Sequence, residues 1–239
     1  AEQVATKTKV AFLSSHATDM TLSYAFVPWF FRCIPDDLSQ ARTLAHEIYE
    51  IRKLNKVTLI GTKDYDAAHA LDAFVKVTGT RKYPAPSVFL QDAENSPEKL
   101  LHSVPQRETE AIVLFGDPAF TASWIRRLRE EKNFVPVFGT LSSISWQKRG
   151  NPQWESLNDL IVISPGYLFS DDGKRFIRNF TATFGYEPDP VAAFAYDGTK
   201  MLIAAIRKAG SDRDKVITTL GSMVFKGITG EIIPDKRGN

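Results

Sequence analysis

The sequence contains a single cysteine and no long run of hydrophobic residues. Cys33 by itself excludes an internal disulfide and any metal cluster built from several cysteines. The most hydrophobic stretch, residues 25–34, is interrupted by Pro28 and Arg32 and is far too short to span a bilayer. No HExxH pattern or similar metal spacing occurs, so we expect no metal site.

An excess of charge of one sign is also missing. The 239 residues include 30 lysines and arginines and 28 aspartates and glutamates, which gives a formal net charge of +2. Because no basic surplus marks a surface for a polyanion, we expect no nucleic-acid partner. With 43% hydrophobic residues, the chain is long enough and apolar enough for one large or two small globular domains.

The motifs of common nucleotide-dependent and hydrolytic enzymes are absent as well. The sequence has no GxGxxG, no GxxxxGK[ST] and no GxSxG nucleophile elbow. We expect no cofactor, and the missing motifs argue against nucleotide chemistry and serine hydrolysis. A cofactor-free isomerase or lyase on an α/β fold stays open as an alternative.

Apolar segments of strand length alternate with segments of helical periodicity through the middle of the chain. Asp36 and Asp37 can cap a helix that runs to about Leu54, and strands and helices follow it in turn. Strands that are separated by helices form right-handed crossovers, which predicts a parallel, doubly wound sheet of the α/β class. The predicted strands cover residues 57–60, 87–90, 111–115, 135–138 and 160–163.

The segments outside this alternation contain more helix than strand. Residues 10–13 form an apolar run without polar interruption, which predicts a strand buried on both faces. Because the helices near the end of the chain need a sheet to cover, we expect the two ends to share a second, incomplete lobe. The other predictions here are an extended connector over 24–35, helices over 171–184, 190–209 and 212–220, and a hairpin over 224–233.

A polar loop follows the first predicted strand. Residues 14–19, SSHATD, offer hydroxyl groups and backbone amides at the carboxyl end of that strand, which is where open α/β sheets bind ligands. The hydroxyls of Ser15 and Thr18 are candidates for holding a carboxylate, and His16 lies between them. Two simpler interpretations stay open, namely that the serines only end the strand and that His16 is an ordinary loop histidine.

Several segments together resemble a known family. The segments FGYEPDPVAAFAYDGTKMLIAAIRKAG and FKGITGEIIPDKRGN near the end are similar to the branched-chain amino-acid type of periplasmic binding protein. KVAFLSSHATD, FFRCIPDD and VTLIGTKDYDAAHALDAF resemble the same family in order and spacing. The resemblance implies the two-lobed type I fold of solute-binding proteins of ABC importers, with doubly wound parallel sheets.

The family pattern also implies where the lobes begin and end. Residues 1–36 and 167–239 correspond to part of lobe 1, and residues 37–166 correspond to lobe 2. The family's first strands and helices have no counterpart, so we expect an N-terminally truncated form in which lobe 1 is incomplete. Exposed apolar helix faces in such a lobe favour a homodimer formed through it.

The function implied by the resemblance is capture of a small solute, an amino acid or a related carboxylate, in a cleft between the lobes. The implied partner is an ABC permease in the membrane, and the implied location is periplasmic or extracellular. A ligand-binding sensory domain of a receptor or regulator stays open as an alternative, because related folds serve that role.

The resemblance also assigns site residues. Ala17 and Thr18 correspond to positions that hold the ligand's α-carboxylate and ammonium groups, and Tyr65 corresponds to an aromatic residue of lobe 2 that covers the ligand. The loops at 116–120 and 139–143 correspond to the rest of that wall.

One position departs from the family pattern. Leu141 stands where amino-acid binders usually carry an acidic residue that pairs with the ammonium group. Since a buried ammonium without a carboxylate partner is costly, a plain α-amino acid is disfavoured unless Asp117 takes that role. Otherwise the pattern favours an uncharged solute or one that carries only a carboxylate.

Overall fold

The computed structural model describes residues 2–24, 27–91, 97–104, 108–145 and 157–238. The chain divides into two compact units. Unit 1 comprises residues 1–36 and 164–239, and unit 2 comprises residues 37–163. None of the helices in the described ranges combines the length and the apolar content that a membrane span requires.

The strands and α-helices of the described chain have the following bounds. The strands are β1 (Phe12–Ser14), β2 (Phe30–Arg32), β3 (Val57–Thr62), β4 (Ser87–Gln91), β5 (Ala111–Phe115), β6 (Val137–Gly139), β7 (Leu160–Val162), β8 (Phe225–Lys226) and β9 (Glu231–Ile232). The α-helices are α1 (Glu2–Thr8), α2 (Asp37–Ala45), α3 (Tyr65–Arg81), α4 (Pro97–Leu101), α5 (Pro118–Glu130), α6 (Asp171–Phe184), α7 (Pro190–Ala209) and α8 (Arg213–Ser222).

Unit 2 contains a five-stranded sheet in the order β4-β3-β5-β6-β7. Every neighbouring pair is parallel, with Val57 opposite Ala111 and Ile112 opposite Val137. The central strand β5 is buried along its whole length, because helices cover both faces of a parallel sheet. The predicted parallel sheet is confirmed, and its five strands lie within two residues of their expected bounds.

The helices of unit 2 cover this sheet with large side chains. On the α5 face, Trp124, Ile125 and Leu128 are buried against β5 and β6. α2 continues from Ala45 into a π-helical segment, His46–Ile51, so the predicted long helix is present with a change of hydrogen-bonding pattern.

Lysines end several helical segments in the left-handed conformation that glycine usually adopts. Among the described residues, the non-glycine residues with positive φ are Lys9, Lys53, Lys82 and Lys132. Lys82 caps α3 with φ 58°, and its amide donates to the carbonyls of Thr78 and Gly79. A basic side chain at a helix C-terminus is favoured by the helix dipole, which partly offsets the steric cost of positive φ.

Unit 1 contains a small parallel sheet of β1 and β2, with Phe12 opposite Phe30. The predicted extended connector over residues 24–35 contains a buried strand, Phe30–Arg32, which the sequence did not predict. The amide of Arg32 also donates to the carbonyl of Gly238 at 2.6 Å. Such pairing between distant segments has no local signature in the sequence.

The first strand also differs from the expectation. It covers Phe12–Ser14 instead of residues 10–13, and Val10 is 39% exposed. Phe12 and Leu13 are half-buried. The prediction of a strand buried on both faces is therefore wrong.

α7 packs against this small sheet through a glycine. A Cβ atom at Gly198 would lie 2.4 Å from Leu13 Cδ2 and 2.9 Å from Cys33 Sγ, so a larger residue requires its neighbours to shift. The helix begins after the N-cap Asp189 and ends at Gly210, which agrees with the predicted bounds. Met201 and Ala205, further along α7, pack with Leu220 of α8.

A buried carboxylate joins α7 to the hairpin of β8 and β9. Asp197 is 1% exposed. Its carboxylate accepts hydrogen bonds from the amides of Ile228 at 2.9 Å and Thr229 at 2.8 Å, and from the Thr229 hydroxyl at 2.6 Å. The predicted hairpin is confirmed, and Asp197 fixes the turn between its strands.

We predict that Asp197→Asn destabilises unit 1 by about 2 kcal/mol, because an amide group turns a donor toward backbone amides and loses the charge that strengthens these bonds. Asp212→Asn is the matched control, since Asp212 caps α8 through the Lys215 amide and asparagine caps a helix equally well. Unfolding in urea measures the free energy of unfolding of both variants. Equal stability of the two variants would contradict the role assigned to Asp197.

We also predict that Cys33 resists thiol reagents in the folded protein. Burial raises the pKa of its thiol to about 12, and the charge of Asp197 acts in the same direction. At pH 8 roughly one thiol in ten thousand is then ionised. Reaction with a disulfide reagent is expected to be slow in buffer and fast in denaturant, and fast reaction in buffer would show that unit 1 opens.

Candidate functional site

Three adjacent strands of unit 2 lead into the loops that carry the candidate residues. β3 is followed by Tyr65, β5 by Asp117 and β6 by the 3-10 turn Leu141–Ile144. Because the strands are parallel and neighbours in the sheet, these loops lie side by side at its carboxyl edge. This is the edge at which open α/β sheets bind ligands.

Tyr65 is an exposed aromatic residue at the start of α3. It is 58% exposed, and its ring stacks on His69 with centroids 3.9 Å apart. The His69 Nδ1 atom lies 2.8 Å from the Tyr65 carbonyl oxygen, which holds the imidazole in place. The tyrosine ring therefore sits on a fixed support and offers apolar surface at the edge of the sheet.

Asp117 is the N-cap of α5. Its Oδ1 atom accepts from the Phe120 amide at 2.7 Å, and Asp64 caps α3 in the same way through the Ala67 amide at 2.9 Å. Side chains of the protein thus already engage amide donors at the starts of both helices. Asp117 is exposed, so its position allows an additional contact with a cation.

Leu141 lies in the interior. Its side chain is 1% exposed, and its amide donates to the Gln40 side chain of α2 at 3.0 Å. The exposed residue of this turn is Ser142. The leucine packs within the protein in this structure, and its contact with a solute stays a prediction.

The candidate loop of unit 1 is folded around Ser14. The Ser14 hydroxyl accepts from the Ala17 amide at 3.3 Å, and the side chain of Ser14 is buried. Ser15, Ala17 and Thr18 are half-buried, and His16 is exposed. The loop therefore presents small and hydroxyl-bearing residues at the end of β1, as predicted from the sequence.

Arg32 contacts this loop, and the sequence interpretation did not identify it as a functional residue. It is 2% exposed, and it donates to the carbonyls of Thr18 at 3.1 Å and Asp19 at 2.8 Å and to the Ser23 hydroxyl at 3.1 Å. The available signal was a lone arginine within the apolar segment YAFVPWFFRCIP.

Among the described residues no group of three or more histidine, cysteine, aspartate or glutamate side chains could hold a metal ion. The candidate residues instead offer hydroxyl groups, an aromatic ring and one exposed carboxylate. Groups of these kinds are suited to non-covalent contacts with a small molecule.

We predict that Asp117→Ala destabilises unit 2 by about 1 kcal/mol, since the Phe120 amide loses its acceptor. Asp117→Asn keeps a capping oxygen and is expected to preserve stability. Chemical unfolding separates the two variants. If both lose the same stability, the cap is not what the Asp117 side chain contributes.

The fold is similar to that of several solved solute-binding proteins. A leucine-binding protein LivK from Thermotoga maritima has a TM-score of 0.80 at 18% identity, over 99% of this chain and 69% of that chain. LivJ from Streptococcus pneumoniae, in complex with isoleucine, has a TM-score of 0.79 at 21% identity, over 98% of this chain and 68% of that chain.

A third similar structure has a ligand of another class. A solute-binding protein of an ABC transporter from R. palustris, in complex with benzoate, has a TM-score of 0.79 at 13% identity, over 99% of this chain and 67% of that chain. No match to the chain is found among curated protein sequences. The similar structures confirm the predicted α/β fold of type I periplasmic binding proteins.

The segments that resemble periplasmic binding proteins in sequence indicate the same family as these structures. The family model described as periplasmic binding protein matches residues 1–239, and the chain therefore belongs to the periplasmic binding protein family.

Proposed function

We propose that the chain is the extracytoplasmic solute-binding component of an ABC transporter, and that it captures a small carboxylate-bearing solute without changing it chemically. The observation that carries the proposal is the position of the candidate residues. In both units they lie in loops at the carboxyl ends of parallel strands, in a chain that belongs to a binding-protein family.

The lobe assignment is part of the proposal. Unit 2 corresponds to lobe 2, and unit 1 corresponds to part of lobe 1. The implied partner is a membrane permease, and the predicted homodimer stays a prediction.

The isoleucine and the benzoate of two similar structures have one feature in common. Isoleucine and benzoate both carry a carboxylate, but only isoleucine carries an ammonium group. In this chain Leu141 occupies the position at which an acidic partner for an ammonium group was expected, and its side chain is buried. The missing acidic residue disfavours an α-amino acid unless Asp117 contacts its ammonium group, and we therefore propose a solute of the benzoate type, which needs no such partner.

The electrostatics of the helix starts indicate which unit holds the carboxylate. Asp64 and Asp117 engage amides at the N-termini of α3 and α5 and place negative charge there. An anion is disfavoured beside these two carboxylates. The Thr18 loop also carries a carboxylate, that of Asp19, but the guanidinium of Arg32 contacts this loop and supplies positive charge there, so we assign the solute's carboxylate to the Thr18 loop.

The first test is titration calorimetry of the protein with benzoate, its neutral isostere benzamide, and L-isoleucine. We expect benzoate to bind most tightly and benzamide at least about tenfold more weakly, since the amide lacks the charge that strengthens hydrogen bonds. The bound solute is then released and analysed, and it should be recovered unchanged. Equal binding of benzoate and benzamide would overturn the carboxylate assignment, and chemical conversion would favour the enzyme alternative.

The second test replaces the assigned residues. Thr18→Ala and Tyr65→Ala should each weaken benzoate binding by about tenfold, because one loses a hydrogen bond and the other loses aromatic surface. Thr199→Ala is the control for Thr18, because Thr199 lies exposed on α7 and bonds its own helix. Phe134→Ala, at a highly exposed residue of unit 2, is the control for Tyr65. Unchanged affinity in both Thr18→Ala and Tyr65→Ala would contradict the assignment of these residues to the binding site.

A further inference from the structure

We propose that Arg32 is a positioning residue that sets the conformation of the loop carrying Thr18, and through it the affinity for the solute. The part of this inference that concerns affinity rests on the proposed function. The starting observation is that the buried guanidinium of Arg32 reaches three points of one segment, at Thr18, Asp19 and Ser23.

The guanidinium holds two consecutive peptide groups. Its Nη1 atom donates to the Thr18 carbonyl at 3.1 Å, and its Nη2 atom donates to the Asp19 carbonyl at 2.8 Å. Two nitrogens in one rigid plane thus fix the relative orientation of two successive carbonyls. This is a stronger restraint than two separate hydrogen bonds from flexible side chains.

Peptide geometry extends this restraint to the amide side of the loop. In a planar trans peptide the N–H group points opposite to the C=O group, and the described chain has no cis peptide bonds. Because the carbonyls of Thr18 and Asp19 point toward Arg32, the amides of Asp19 and Met20 point away from it. Arg32 therefore determines the direction of the backbone donors that directly follow Thr18.

A further contact anchors the end of the same segment. Nη2 of Arg32 also donates to the buried Ser23 hydroxyl at 3.1 Å, at the end of the 3-10 turn Met20–Ser23. The start of that turn is held separately, because the Asp19 carboxylate accepts from the Thr21 amide at 2.8 Å. Arg32 and Asp19 together restrain the loop from Thr18 to Ser23.

The position of Arg32 in the fold makes it a suitable anchor. Arg32 is the last residue of β2, and its amide donates to the carbonyl of Gly238. Its guanidinium carbon lies 5.6 Å from the centre of the Phe30 ring. A lysine at this position retains the charge but has one nitrogen in place of the planar fork. It cannot hold the same two carbonyls and the hydroxyl in this geometry.

The experiment compares Arg32→Met, Arg32→Lys and Arg213→Met with the unsubstituted chain. Arg213 is the matched control, because it also donates to a backbone carbonyl of unit 1, that of Thr8 at 3.2 Å, but at another segment. Hydrogen exchange is measured over residues 15–24 and over α7, and benzoate affinity is measured by calorimetry. The exchange measurement needs no ligand.

We expect Arg32→Met to accelerate exchange in residues 15–24 by about tenfold or more while α7 exchanges at the original rate, and to weaken benzoate binding by about tenfold. Arg32→Lys should give an intermediate effect on both, and Arg213→Met should leave both unchanged. This pattern identifies positioning, because a general loss of stability in unit 1 would accelerate exchange in α7 too.

Two outcomes would overturn the inference. One is unchanged benzoate affinity in Arg32→Met, and the other is equal acceleration of exchange in the loop and α7, which indicates a merely structural arginine. If the unsubstituted chain itself does not bind benzoate, the proposed solute class fails. Exchange in residues 15–24 then decides the positioning role independently.

Discussion

The parallel pairing of β5 with β3 and β6 is the constraint on which unit 2 depends. Parallel neighbours require crossover helices, and these helices bury β5 completely. The same geometry brings every strand's carboxyl end to one edge. Tyr65 and Asp117, which are far apart in sequence, therefore occupy adjacent loops.

Much of the fold could be predicted where the signal is local. The bounds of α6 and α7 match the expected ones, because each helix begins after a capping side chain and ends at a glycine with positive φ. β2 could not be predicted in this way. Arg32 and the flanking Pro28 and Pro35 are typical of a connector, and only the pairing of β2 with β1 and its bond to Gly238 make it a strand.

The positions of the candidate loops could be predicted from the sequence, but the burial and the contacts of individual side chains could not. Strand ends located the loops at Thr18, Tyr65 and Asp117. Burial of Leu141 depends on tertiary contacts, such as its bond to Gln40 across a hundred residues of sequence, and spacing along the chain does not reveal these. The role of Arg32 was hidden for the same reason, since its partners are carbonyl groups that every residue carries.

Lysines with positive φ lie at the edge of the unit 2 sheet that is opposite to the candidate loops. Lys53, Lys82 and Lys132 precede strands, so the unfavourable backbone conformations lie at the amino edge of the sheet. In the described chain no residue of the candidate loops has positive φ. Functional sites often hold strained backbone, but the described candidate loops place no residue in the left-handed region. Substitutions at Thr18 and Tyr65 therefore meet no restriction from a positive φ angle, which makes these loops suitable starting points for redesign toward other solutes.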